Sequence, residues 1–159
     1  MNKVCKVPIG GIIGIIGGGQ LGRMLSLSAS QLGFKTHIFD PDPEAPAKQV
    51  TNISSTFPYN DRVALKNFSD SVDVVTFEFE NIPKESIKIY QRFSPVFPDA
   101  DSLSICQDRI NEKKFLGKIN IPFSPFVSGS TISEILQNGS ILKFPMVLKS
   151  SRFGYDGKG

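Results

Sequence analysis

Three groups of residues have the types and spacings that can do chemistry. Gly17, Gly19 and Gly22 satisfy G-x-G-x-x-G. Glycines in that pattern allow a tight turn and close ligand approach, and the helix that follows offers free N–H groups to an anion or polar group. Asp40 lies 18 residues beyond Gly22, where dinucleotide-binding folds carry a ribose-binding carboxylate. Thr76-Phe77-Glu78-Phe79-Glu80-Asn81 closes an apolar run that begins at Val72. Strand alternation would put Glu78 and Glu80 on one face and Phe77 and Phe79 on the other. Finally, Lys149 and Arg152 lead into Phe153-Gly154-Tyr155-Asp156-Gly157-Lys158-Gly159, cations and glycines suited to covering a polyphosphate. It is not a P-loop, because G-K-[ST] is absent.

Other chemistries find few parts. His37 is the one histidine, and it falls inside a strand pattern, where a structural role is the simpler reading. Cys5 and Cys106 stand far apart, so neither a zinc site nor a disulfide framework is indicated. No G-x-S-x-G nucleophile turn occurs. The 13 phenylalanines follow strand and helix spacing and read as core, not as a platform for stacking bases.

The elements that must position these groups alternate. Ile12–Ile16 is a β-branched run that suits a buried parallel strand. From Gln20 the period becomes helical, with Leu21, Met24, Leu25, Ser28 and Leu32 on one stripe expected to face the core and Gly33 as C-terminal cap. Phe34–Phe39 reads as a second strand stopped by Asp40-Pro41-Asp42-Pro43, and Ile53–Phe57 as a third. Asp61 opens a helix through Phe68, Val72–Phe79 is a strand, and Pro83 starts a helix to about Arg92, before a short strand near Val96. Strands alternating with helices at these lengths predict a doubly wound parallel α/β domain over 1–105. The rhythm then changes, with a charged helix over Asp108–Lys118, a strand over Phe123–Val127, a helix over Thr131–Gln137 and a strand over Phe144–Lys149.

Charge and length bound the function. The 159 residues carry a net charge of +3, too little to argue for nucleic acid or a membrane surface. Residues 1–105 hold 10 basic and 11 acidic groups, and 106–159 hold 8 and 4, so the surplus favours an anionic ligand in the last third. Lys3 and Lys6 ahead of Ile9–Ile16 imitate a signal peptide, but the run is diluted by glycines and lacks a small-residue cleavage site. A buried strand in a protein of a reducing, cytoplasmic compartment is the expectation.

Three segments together resemble a known family: Ile15-Ile16-Gly17-Gly18-Gly19-Gln20-Leu21-Gly22-Arg23-Met24, Thr76-Phe77-Glu78-Phe79-Glu80-Asn81-Ile82, and Phe153 to Gly159. In this order and spacing they are similar to the 5-(carboxyamino)imidazole ribonucleotide synthetases of the ATP-grasp superfamily. The resemblance implies a Rossmann-like pre-ATP-grasp substrate domain over 1–105, followed over 106–159 by the start of an ATP-grasp domain truncated in its phosphate loop. It implies ATP- and bicarbonate-dependent carboxylation of aminoimidazole ribonucleotide through carboxyphosphate, in purine biosynthesis. Gln20, Leu21 and Glu80 would bind the ribonucleotide. Arg109, Lys149 and the loop Gly154, Tyr155, Asp156, Gly157, Lys158 and Gly159 would bind ATP. Read from the residues alone, a helix-borne Arg109 fits a surface charge equally well.

The family's acidic Mg2+ ligands, its adenine-gripping strand and the cations for the substrate phosphate lie in a part that these 159 residues do not contain. A catalytically deficient portion of a protein that is a homodimer at full length is therefore the expectation, with a C-terminal third short of core. Two alternatives stay open: an NAD(P)-binding dehydrogenase domain resting on Gly17, Gly19, Gly22 and Asp40, and a non-catalytic half completed by a partner chain.

Overall fold

A computed structural model describes residues 6–154. The chain divides into two units that part between Leu103 and Ser104.

The first unit is a four-stranded, wholly parallel sheet in the order β3-β2-β1-β4. Its strands are β1 (Ile12–Ile16), β2 (Lys35–Phe39), β3 (Ile53–Ser55) and β4 (Val74–Phe77). Val96, expected near a short strand, makes a single parallel bridge to Val75. The period-two alternation of each strand sorts its residues between two cores. Ile16, Phe39 and Val75 join Leu65, Phe68, Ile82, Ile87 and Tyr90 on the side of α2 (Arg62–Asp70) and α3 (Lys84–Tyr90). Ile15 and Ile38 pack with Ala47, which belongs to a short 3-10 turn over Pro46–Gln49. That turn packs on α1 (Gln20–Gln31). Asp61 caps α2 by accepting from the Val63 and Ala64 amides, as its position predicts.

The buried face of α1 is the reverse of the expected one. Leu21, Met24, Leu25 and Leu32 are exposed, while Gly22, Ser26 and Ala29 are buried. The reason is the closeness of the helix to the strand end. A Cβ on Gly22 would sit 2.7 Å from the Gly17 carbonyl oxygen, so only small side chains fit along that line. Gly22→Ala must displace backbone on one side or the other, and is expected to cost about 2 kcal/mol. Chemical denaturation of the two proteins measures this.

His37 is buried between Ser71 and Ser55, whose hydroxyls lie 2.9 and 2.8 Å from its two ring nitrogens, and its ring meets Phe68 edge-on. The structural reading of this histidine stands. Burial pulls its pKa down from 6.5 to about 4. The unfolded chain therefore takes up a proton that the folded chain refuses, and this contribution to stability is lost as pH falls from about 6.5 toward 4. His37→Gln is expected to flatten the fall in melting temperature between neutral and mildly acidic pH. Parallel thermal scans of both proteins at several pH values test it.

The second unit holds the C-terminal end of α4 (Ala100–Cys106), then α5 (Arg109–Lys118) and α6 (Ile132–Gly139). Asp108 caps α5 and Thr131 caps α6. The strands expected over Phe123–Val127 and Phe144–Lys149 are not formed. Both segments are irregular and largely exposed, because no strand lies beside them among the described residues and an unpaired extended run gains no ladder bonds. Gln107 is the one buried residue described in this unit, in keeping with an expected shortage of core. Lys113 ties the irregular segment to α5, donating to the Ser124 carbonyl and lying over the Phe123 and Phe126 rings.

Candidate functional site

The first unit builds its site where the strand order reverses. The chain leaves β1 and crosses to β2 on one side, while β4 pairs with β1 on the other. Ligands of open α/β sheets bind at such a switch point, beyond the carboxyl ends of the strands. Gly17 makes the turn there with φ +98, a conformation that side chains resist. A Cβ on it would also meet the Glu78 carboxylate at 2.8 Å and the Phe79 Cβ at 2.9 Å. Gln20 and Leu21 form the first turn of α1, which has no side-chain cap and no acidic residue of its own. Both side chains are exposed, so Leu21 does not belong to the core stripe.

Two carboxylates reach into the glycine loop from neighbouring strand ends. Asp40, only 9% exposed, accepts from the Gly18 amide at 2.7 Å, from the Tyr59 hydroxyl at 2.8 Å and from the Asp42 amide at 2.8 Å. Glu78 accepts from the Gly19 amide at 2.7 Å. Burial raises the Glu78 pKa, the Gly19 N–H pulls it back, and the Asp40 charge raises it further. Burial also raises the Tyr59 pKa, with its hydrogen bond to Asp40 adding to the effect. Lys48 braces the turn after β2 by donating to the Asp40 and Asp42 carbonyls and the Thr56 hydroxyl.

The expected pairing of Glu78 with Glu80 on one strand face does not occur. β4 stops at Phe77, so alternation no longer applies beyond it. Glu78 turns under the loop half-buried, whereas Glu80 is exposed in the turn that follows. Phe79 stacks on Tyr59 at 5.8 Å. Asp40 is likewise not the open ribose-binding carboxylate of a dinucleotide fold, since its oxygens hold Gly18, Tyr59 and Asp42. Its clamping role and that of Tyr59 went unread in the sequence. An aspartate at a strand end followed by Pro41 and Pro43 was the available signal, because such a turn needs an acceptor for amides it cannot pair internally.

The second unit gathers its own candidates separately. Arg109 is half-buried at the start of α5. Its guanidinium donates to the Ser150 carbonyl at 3.2 Å and the Gly154 carbonyl at 2.8 Å, and its amide donates to the Ser151 carbonyl at 2.9 Å. It is therefore a staple for the segment entering the loop, which corrects the reading of it as a surface charge. The stapled segment carries Phe153 at φ +60, a left-handed conformation costly for an aromatic residue. Lys149 is exposed on irregular chain and not on a strand. Tyr155, Asp156, Gly157, Lys158 and Gly159 lie outside the described residues. Among the described residues no three His, Cys, Asp or Glu side chains gather as a metal-binding group. No described helix is long and apolar enough to cross a membrane.

Residues 11–107 match the family model of the ribonucleotide synthetase pre-ATP-grasp domain. The chain belongs to this family. Against N5-carboxyaminoimidazole ribonucleotide synthase of Bacillus subtilis, this pre-ATP-grasp chain is 39% identical over 159 residues, which is 100% of the chain and 42% of that relative. A crystal structure of an ADP complex of N5-carboxyaminoimidazole ribonucleotide synthetase superposes with a TM-score of 0.91 at 35% identity, covering 100% of this chain and 42% of the other. The Aspergillus clavatus enzyme in complex with ADP and 5-aminoimidazole ribonucleotide aligns with a TM-score of 0.76 at 29% identity, covering 86% of this chain and 37% of that one. The chain thus spans about two-fifths of the length of these relatives. The doubly wound, pre-ATP-grasp fold class read from the sequence agrees with the parallel sheet and with this family.

Proposed function

We propose that this chain supplies the ribonucleotide-binding side of an ATP-grasp ligase that carboxylates the exocyclic amine of aminoimidazole ribonucleotide. One observation carries the reading: the glycine loop after β1 and the Glu78–Glu80 turn after β4 meet at the switch point, joined by the Gly19–Glu78 hydrogen bond. Gln20 and Leu21 border the ligand from the loop, and the Glu80 carboxylate accepts from the ribose hydroxyls. The match to relatives named for this ribonucleotide supports that assignment.

In the proposed reaction a bicarbonate oxygen attacks the γ-phosphorus of ATP and ADP leaves. The amine of the ribonucleotide then attacks the carboxyl carbon of carboxyphosphate, phosphate leaves, and the amine proton is lost. Phosphorylation supplies the leaving group that bicarbonate lacks, and the transfer depends chiefly on positioning and charge neutralisation. Lys149 and the loop Gly154–Gly159 would contribute cations and amide donors to the triphosphate. Arg109 acts through the loop, since its guanidinium already holds the Ser150 and Gly154 carbonyls.

On this reading 1–105 is the substrate side and 106–159 the beginning of the ATP-binding side, in a cytoplasmic protein that works as a homodimer. The 159 residues alone bind the ribonucleotide but turn it over little or not at all, since the relatives are more than twice as long. ATP hydrolysis dependent on bicarbonate and aminoimidazole ribonucleotide, measured for this chain alone, tests the proposal. Background hydrolysis is expected, and full turnover by the 159 residues would overturn it.

A further inference from the structure

A G-x-G-x-x-G turn at a helix N-terminus ordinarily directs its amide donors at a pyrophosphate. Here two of those donors are already taken. The Gly18 N–H is bonded to Asp40 and the Gly19 N–H to Glu78, each at 2.7 Å. Asp40 is fixed from behind by Tyr59 and by the Asp42 amide, and Glu78 is wedged against Gly17 and Gly19. Both acceptors come from the neighbouring strand ends and bring negative charge to the place an anion would occupy. A polyphosphate would therefore have to break two short charge-assisted bonds and face two carboxylates.

We propose that Asp40 and Glu78 set the specificity of the glycine loop by excluding pyrophosphate-bearing ligands from it. The inference rests on the loop geometry and does not need the ribonucleotide assignment. It explains how a fingerprint shared with dinucleotide folds can belong to a site that takes no dinucleotide. It also places polyphosphate recognition on other residues of the protein.

The test is a titration of the 15N-labelled 159-residue chain with inorganic pyrophosphate, read at the Gly18 and Gly19 amide resonances. Reading those two amides separates this loop from any anion binding near Lys149. In the wild-type chain they are expected to stay in place at millimolar pyrophosphate. Glu78→Ala frees the Gly19 N–H and removes a charge, and its affinity at this loop is expected to rise about tenfold or more. Glu78→Gln keeps an acceptor and removes only the charge, with an expected gain of about threefold. Should Glu78→Ala lose the native amide spectrum, the glutamine variant decides alone. Movement of the wild-type Gly18 and Gly19 amides with pyrophosphate, or folded variants that bind it no better than wild type, would overturn the proposal. Loss of ribonucleotide binding would leave this result untouched, so the two readings fail separately.

Discussion

Asp40→Ala is expected to lower the unfolding free energy of the first unit by about 3 kcal/mol or more, the largest effect of any polar substitution in it. The carboxylate is nearly inaccessible and holds the Gly18 amide, the Tyr59 hydroxyl and the Asp42 amide together. Hydrogen bonds to a charged group contribute about 1.5–3 kcal/mol each, and removing the acceptor leaves the buried donors unsatisfied. These bonds share one carboxylate, so their contributions do not add in full. Tyr59→Phe removes one donor and orphans nothing, and is expected to cost about 1 kcal/mol. Urea unfolding of the three proteins gives both numbers. A cost under about 1 kcal/mol for Asp40→Ala would mean that the glycine loop holds its shape without the clamp.

The second large effect concerns binding. Glu80→Ala is expected to weaken aminoimidazole ribonucleotide binding by about 100-fold, equivalent to roughly 2.7 kcal/mol, because a carboxylate accepting from two ribose hydroxyls makes strong charge-assisted bonds. Glu80→Gln retains one good acceptor and is expected to lose about tenfold. Glu80 lies exposed beyond the end of β4. Calorimetric titration with thermal melts as a control checks this. Equal affinity for wild type and Glu80→Ala would remove Glu80 from the site.

Much of the first unit could be read from the chain because its local signals agree with one another. The β-branched run of β1, the Asp61 cap of α2 and Gly33 with its positive φ after α1 each specify what the packed structure uses. Where sequence reasoning failed, a long-range contact had overruled the local pattern. The Leu21–Leu32 stripe has the right period for a buried face, yet the nearness of Gly22 to the Gly17 carbonyl turns the small residues inward. Alternation likewise paired Glu78 with Glu80, but the chain leaves the sheet at Phe77 to place Glu78 under Gly19. The position of Asp40 before Pro41 and Pro43 signals a carboxylate that accepts within its turn, but only the folded chain brings the Tyr59 hydroxyl and the Gly18 amide to it.

In the second unit the two helices expected from Asp108 and from Thr131 were legible, and the two strands were not formed. A strand pattern states only that a segment can pair. Phe144–Lys149 has the apolar composition for it, but no described neighbour supplies the ladder. Arg109 shows the opposite case: the sequence offered an exposed helical charge, and three backbone carbonyls far along the chain gave it its role.

The most direct test of the whole account is a titration of the 15N-labelled chain with aminoimidazole ribonucleotide, following every assigned amide. Saturable binding that moves Gly19, Gln20, Leu21 and Glu80 while leaving the β2–β3 edge in place is the predicted result. No saturable binding, or binding that leaves those four amides unmoved, would contradict it.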